Sequence, residues 1–275
     1  MLCEQTTCFS HGTGPGVVGQ NGRMDLGLKD RVYIVTGASR GLGRAAAQVL
    51  VGEGAKVVVS ARHQQAVATA VSELGEGSAT GVVADNADAA TAARLVATAT
   101  SAYGRLDGAL ISVGGPPTGG VLDITDEQWR AAFGAVFVGA LAVARAVIDA
   151  MGDGGSIAFV LSTSVKQPVG GLAVSNGLRP GLAMVAKNLA DEVGPRGIRV
   201  NGLLPGRVDT ERVQELDAAS GDPASMRREQ EANIPLRRYG EPAEFGRAAA
   251  FLLSPASDYV TGVMLPVDGG LTRGL

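Results

Sequence analysis

Short runs of β-branched and aliphatic residues punctuate this chain at intervals, with alanine-rich amphipathic stretches between them. Val32 to Val35 is the first such run, and it reads as a buried strand. Further runs at 55–60, 80–84, 106–111, 155–162 and 198–206 read the same way, and 260–270 as a closing strand. Between them lie good helix formers: 44–50, 64–74, 88–102, a long stretch from Thr125 to about Met151, and 241–253. Strand and helix in regular alternation predict an α/β fold. The expected architecture is a doubly wound parallel sheet of about seven strands, with helices on both faces.

Composition narrows the picture. A chain of 275 residues suits one large α/β domain with a sizeable core. Net charge is −3 with 19% charged residues, so no basic field argues for nucleic acid. The most apolar run, Ala131 to Ala144, ends at Arg145, is too short to span a bilayer and reads as a buried or interface helix. Both cysteines, Cys3 and Cys8, fall in the first ten residues, which points to a reducing cytoplasm without a disulfide framework. No second pair or histidine cluster completes a metal site around them. Residues 1–23 lack periodicity and any signal-peptide core, and read as a disordered extension ahead of a domain at 24–275, with Met24 as the functional start.

The first strand runs into Thr36-Gly37-Ala38-Ser39-Arg40-Gly41-Leu42-Gly43 and then a helix. A helix start exposes unpaired N–H groups and the positive end of the helix dipole. Missing Cβ atoms let a pyrophosphate come close to them. Glycine is abundant here, 40 residues in all, so the triplet alone is a weak signal, and an ordinary turn is the bland alternative. The strand–turn–helix setting makes it informative. Dinucleotide folds place an acidic residue at the second strand end for a ribose 2′-hydroxyl, or an arginine for a 2′-phosphate. Here no acidic residue lies between Gly54 and Glu73, and Arg62 stands at that strand end. Arg40 is a second cation within reach of the same phosphate, and its forked donors suit phosphate oxygens. The bland alternative is two solvated surface arginines. The reading favours NADP(H) and leaves NAD(H) open.

The segment Thr36-Gly37-x3-Gly41-Leu42-Gly43 resembles the cofactor loop of the short-chain dehydrogenase/reductase superfamily, whose spacing differs from the commoner G-x-G-x-x-G. The resemblance covers about 25–275 and implies a single Rossmann-like domain. It implies that Asp85, with Asn86, meets the adenine, though a helix cap for 88–102 is an alternative for Asp85. It places Gly114 at the end of the fourth strand and Pro205-Gly206 at the end of the sixth. Val208 and Thr210 fall where the family contacts the nicotinamide carboxamide and phosphates. Ser39, Arg40 and Leu42 complete the loop around Gly37, Gly41 and Gly43. Ser162 matches the family's substrate-binding serine.

Three departures from the family pattern stand out. The fourth strand ends Ile111-Ser112-Val113-Gly114, without the family's two asparagines. Val136, seven positions after Trp129, replaces an asparagine of the proton relay. Thirteen residues after Ser162 the family has Tyr-x-x-x-Lys, where this chain has Ser175 and Arg179. The i, i+4 spacing puts both on one helix face. Pro180 disfavours helical geometry at Arg179 and removes one ladder donor, at a site expected in the first turns. The pair resembles a divergent branch of 3-oxoacyl-(acyl-carrier-protein) reductase-like members that lack the tyrosine and lysine.

Ser175 is a poor acid, yet general acid catalysis is worth only about 10²- to 10⁴-fold. Hydride delivery rests on the cofactor and on positioning. The expected function is an NADP(H)-dependent oxidoreductase acting on a carbonyl or acyl-thioester substrate through Ser162, Ser175 and Arg179. A catalytically silent NADP(H)-binding protein and a non-redox lyase or isomerase are the rivals. Residues 209 to about 235, with Arg212, Arg227 and Arg228, suit a mobile lid over the substrate, either as a solvated charged face or as a surface for anionic ligands. The resemblance also implies a homotetramer or dimer built through the two long helices.

Overall fold

The computed structural model describes residues 24–274. The extension 1–23, with both cysteines, lies outside them. The strands are β1 (Val32–Thr36), β2 (Lys56–Ala61), β3 (Ala79–Val83), β4 (Gly108–Ile111), β5 (Ser156–Val160), β6 (Arg199–Pro205) and β7 (Met264–Val267). They form one seven-stranded sheet in the order β3-β2-β1-β4-β5-β6-β7, every neighbouring pair parallel. The order reverses between β1 and β4, which opens a crevice at the carboxyl edge where ligands of such folds bind.

The helices are α1 (Gly41–Gly52), α2 (Gln64–Leu74), α3 (Thr91–Tyr103), α4 (Asp126–Ala132), α5 (Gly139–Ala150), α6 (Ala173–Val193), α7 (Glu211–Ala218), α8 (Pro223–Asn233) and α9 (Pro242–Leu253). Two apolar cores flank the sheet, because β1, β4 and β5 are buried along their whole length. One, around Leu50, Val59, Phe245 and Leu253, seats α1, α2 and α9. The other, around Ile34, Leu95, Val143, Phe159 and Ala186, seats α3, α5 and α6.

The stretch expected as one long helix is continuous from 126 to 150, but Phe133–Val138 is wound as a π-helix between α4 and α5. Thr125 and Gln128 form a reciprocal cap at its start, which is legible in the sequence. The π segment is not, since it answers to tertiary packing. A Cβ at Gly139 would overlap Asn86 O, so the helix is held against the loop after β3 at that point. Trp129 and Phe137 lay their rings over Gly177 and Gly181 of α6. Arg145 does not end the apolar helix. It lies on the exposed face, and the 25-residue stretch is long and apolar enough to cross a membrane by length and composition. Here it packs Val136, Ala140, Val143, Ala144 and Val147 into the core.

Two local expectations meet the structure in detail. Pro180 is the eighth residue of α6, at the close of its second turn, and the helix runs through it. Burial of Leu182, Ala183 and Ala186 behind it offsets the missing N–H. Asp85 does not cap α3. Its Oδ1 accepts from Ala87 N (3.0 Å) in a turn of its own, while Asp88 Oδ1 accepts from Ala90 N (3.0 Å) beside the helix start.

Candidate functional site

The glycine turn joins β1 to α1 at the switch point. The N-cap Arg40 is extended, and no side chain caps the first turn of α1. The N–H groups of Gly41, Leu42 and Gly43 thus have no partner of the kind that ends most helices, and they present a positive dipole end. A Cβ at Gly43 would lie 2.5 Å from Gly37 O, so only glycine lets the turn fold back on itself. Gly37 sits over the end of β4: Thr36 Oγ1 donates to Ser112 O (2.6 Å) and accepts from Ser112 N (2.9 Å). The Thr36 hydroxyl therefore ties β1 to the backbone at the end of β4. Leu42 packs against the α1 core, and Ser39 is half-buried.

Ala38 N donates to Ser60 O (3.0 Å), which sets the loop carrying Arg40 beside the β2 end carrying Arg62. Both arginines are exposed. Ala84 N donates to Ala61 O (2.9 Å), bringing Asp85, exposed, and Asn86, half-buried, to the same edge. Gly114 is exposed just beyond β4. Pro205 ends β6, and Gly206 N donates to Val267 O (3.1 Å). Thr210 caps α7 by accepting from Val213 N, and it faces Gly41. Val208 is buried against Gly240, so its side chain turns away from solvent. These residues, drawn from five strand ends, converge on one edge. An uncapped helix start, a turn closed to any Cβ and two exposed guanidiniums fit a phosphorylated dinucleotide.

Beside that cleft, Ser162 follows β5 and begins a short 3₁₀ turn, Thr163–Val165. Its Oγ accepts from Ser164 N (3.1 Å), which leaves its hydroxyl proton free to donate. Ser175 and Arg179 share a buried face of α6, as the spacing predicts. Ser175 Oγ shares a hydrogen bond with Ser164 Oγ (3.1 Å). Ser164, buried, thus links the two candidate serines. It was missed in the sequence, although Ser-x-Ser at a strand end is the available signal.

Arg179 donates from Nη1 to Val160 O (2.7 Å) and Leu161 O (2.8 Å). Its remaining donors meet no protein acceptor among the described residues. The one buried side-chain polar atom without a partner there is Thr272 Oγ1, so those donors reach solvent. Burial pushes the guanidinium down to about 10, which leaves it a cation at neutral pH.

The four tyrosines lie elsewhere. Tyr33 donates to Leu253 O (3.1 Å) in the core, Tyr103 bonds Thr80 (3.0 Å), and Tyr259 is fully exposed. Tyr239 donates to Asp217 Oδ2 (2.9 Å), and burial with that bond pushes it up to about 12.

The polar stretch expected as a lid folds as α7 and α8, and two of its three arginines are engaged internally. Arg227 binds Asp209 (2.8 Å) and Glu231 (2.9 Å) and lies 4.6 Å over the Tyr239 ring. Arg207 binds Asp217 (2.9 Å), which is buried. Arg212 donates to Pro116 O (3.2 Å), and Arg228 is exposed. The charged face is thus largely self-paired rather than merely solvated.

Residues 37–272 match the family model described as enoyl-(acyl carrier protein) reductase. The chain belongs to the short-chain dehydrogenase/reductase superfamily of oxidoreductases. It is 36% identical to human dehydrogenase/reductase SDR family member 4, over 88% of each chain. It is 34% identical to the L-rhamnose 1-dehydrogenase (NAD(P)(+)) of Azotobacter vinelandii, covering 89% of this chain and 97% of that one. Among solved structures, L-sorbose reductase from Gluconobacter frateurii, complexed with NADPH and L-sorbose, superposes with a TM-score of 0.87 at 27% identity. That match covers 92% of this chain and all of the other.

Proposed function

We propose that this protein is an NADP(H)-dependent oxidoreductase that interconverts a carbonyl and a hydroxyl group, with 3-oxoacyl thioesters as the substrate class that its motif resemblance favours. The observation that carries this reading is Arg179, a buried cation with donors left over after it binds the end of β5. Gly37, Gly41, Gly43 and the start of α1 would hold the pyrophosphate, Arg40 and Arg62 the 2′-phosphate, and Asp85 the adenine. Pro205, Gly206, Val208, Thr210 and Gly114 would border the nicotinamide end. When bound, the dinucleotide supplies or accepts the hydride.

The chain's own residues do the rest. Ser162 donates its free proton to the substrate oxygen and orients it. Arg179⁺ stabilises negative charge developing on that oxygen, an effect that is strong where water is excluded. Solvent supplies the final proton, because Ser175 is bonded to Ser164 and too weak an acid. The L-sorbose reductase complex with NADPH supports the choice of cofactor. Phe133 stacks on Phe137 at 5.1 Å, Phe137 covers Gly181, and Met184 is exposed one turn further on. This apolar face of the π segment and α6 supports a homo-oligomer. Buried pairing of Ser175 favours a second reading, a protein that binds NADP(H) without turning it over.

The test is NADPH consumption across β-ketoacyl thioesters, quinones and aldehydes, together with thermal shift by NADPH. Consumption with stabilisation supports the first reading. Stabilisation without consumption supports the second, and neither response removes both.

A further inference from the structure

Arg40 already has a partner. Its Nη1 lies 2.8 Å from Glu215 Oε1, on α7. Glu215 also lies 3.6 Å from Arg212, and Arg212 reaches across to Pro116 O beyond β4. Thr210 at the head of α7 faces Gly41, and the Arg212 guanidinium lies over Gly115. α7 is therefore tied to both banks of the crevice, to the glycine loop by Glu215 and to the β4 loop by Arg212. The carboxyl of Glu215 is held below its ordinary range, chiefly by its bond to Arg40, so it is an anion at working pH.

The guanidinium fork that would grip a phosphate is thus occupied by a carboxylate from the roof of the site. A phosphate monoester carries nearly twice the charge of a carboxylate and three acceptor oxygens, so it is the stronger partner. A ribose hydroxyl has no charge with which to compete.

Building on the reading of Arg40 as a 2′-phosphate partner, we infer that Glu215 is a specificity-determining residue. It competes with the adenosine 2′-phosphate for Arg40, so that a phosphorylated dinucleotide frees α7 from the glycine loop and an unphosphorylated one does not. The carboxylate lowers NADPH affinity in proportion to what it gains from Arg40, and NADH affinity is spared. Cofactor identity is thereby coupled to the roof through which substrate passes.

The experiment titrates the full-length protein and its Glu215→Gln and Arg40→Ala variants with NADPH and NADH at low fixed ionic strength, and follows amide exchange in 211–218. In Glu215→Gln the ratio of NADH to NADPH dissociation constants rises about three- to fivefold, the range open to an exposed ion pair. Amides of 211–218 in the parent exchange faster with NADPH than with NADH, and the difference disappears in the variant. An unchanged ratio, or a shift of both affinities by one factor, overturns the inference. Arg40→Ala separates the two levels. If it collapses the ratio while Glu215→Gln does nothing, only the competition is wrong. If it leaves an NADPH preference intact, Arg40 is not the phosphate partner, and the inference falls with that reading.

Discussion

The two ends of the crevice are built by different rules. At the β1–α1 end backbone geometry decides: a Cβ at Gly43 would lie 2.5 Å from Gly37 O, and the Thr36 hydroxyl locks the two strand ends together through the Ser112 backbone. At the β5–α6 end side chains decide instead. Ser175 and Arg179 stand on the same buried helix face, each held by a partner outside the helix. A turn closed by sterics tolerates almost no substitution. A helix face presenting side chains to a cleft can swap one chemistry for another, provided each buried polar group finds a partner.

The largest test of this contrast is Arg179→Met. If the guanidinium acts on the reacting oxygen, NADPH consumption falls about 10²- to 10³-fold, as for loss of one oxyanion donor. Folding stability falls by about 1–3 kcal/mol, because Val160 O and Leu161 O lose their donor, so rates are compared well below the variant's unfolding midpoint. Cofactor affinity holds, which separates the two ends. In the parent, any rate that needs this cation falls as pH rises through about 10, where burial has brought its titration.

Gly43→Ala probes the other end. Overpacking against Gly37 O costs about 1–3 kcal/mol of stability in denaturant unfolding. Affinity for both dinucleotides drops together, since the turn itself is displaced.

Ser175→Ala sharpens the comparison at smaller scale. Loss of its bond to Ser164 costs about 1 kcal/mol by the same measurement. Turnover changes by no more than a few-fold, because the proton comes from solvent. A hundredfold loss makes Ser175 the proton donor instead.

The smallest effect lies outside both ends. Glu244 binds Arg238 through two contacts of 2.7 Å and accepts from Glu241 N, and these hold its carboxyl down to about 2. A depressed carboxylate stabilises above its unfolded value near 4.3 and loses that contribution as pH falls towards 2. Glu244→Gln therefore flattens the acid limb of a stability-against-pH curve, by about 1 kcal/mol or less for so exposed a pair.

The parallel sheet, its seven strands and the glycine turn were legible from residues alone, because buried strands need unbroken apolar runs and a tight strand-to-helix turn needs glycine. The placement of Ser175 and Arg179 on one helix face followed from a period of 3.6 residues. What those groups touch did not. Ser164 bridges the serines, Val160 and Leu161 hold the guanidinium, and Glu215 meets Arg40 across 175 positions of chain. The π segment at 133–138 also came only with packing. Local pattern fixes which element forms and which face it buries. Which of these groups meet is chosen by the closing of the sheet and the docking of α6 and α7 upon it, and for Arg40 and Glu215 no local window along the chain contains both.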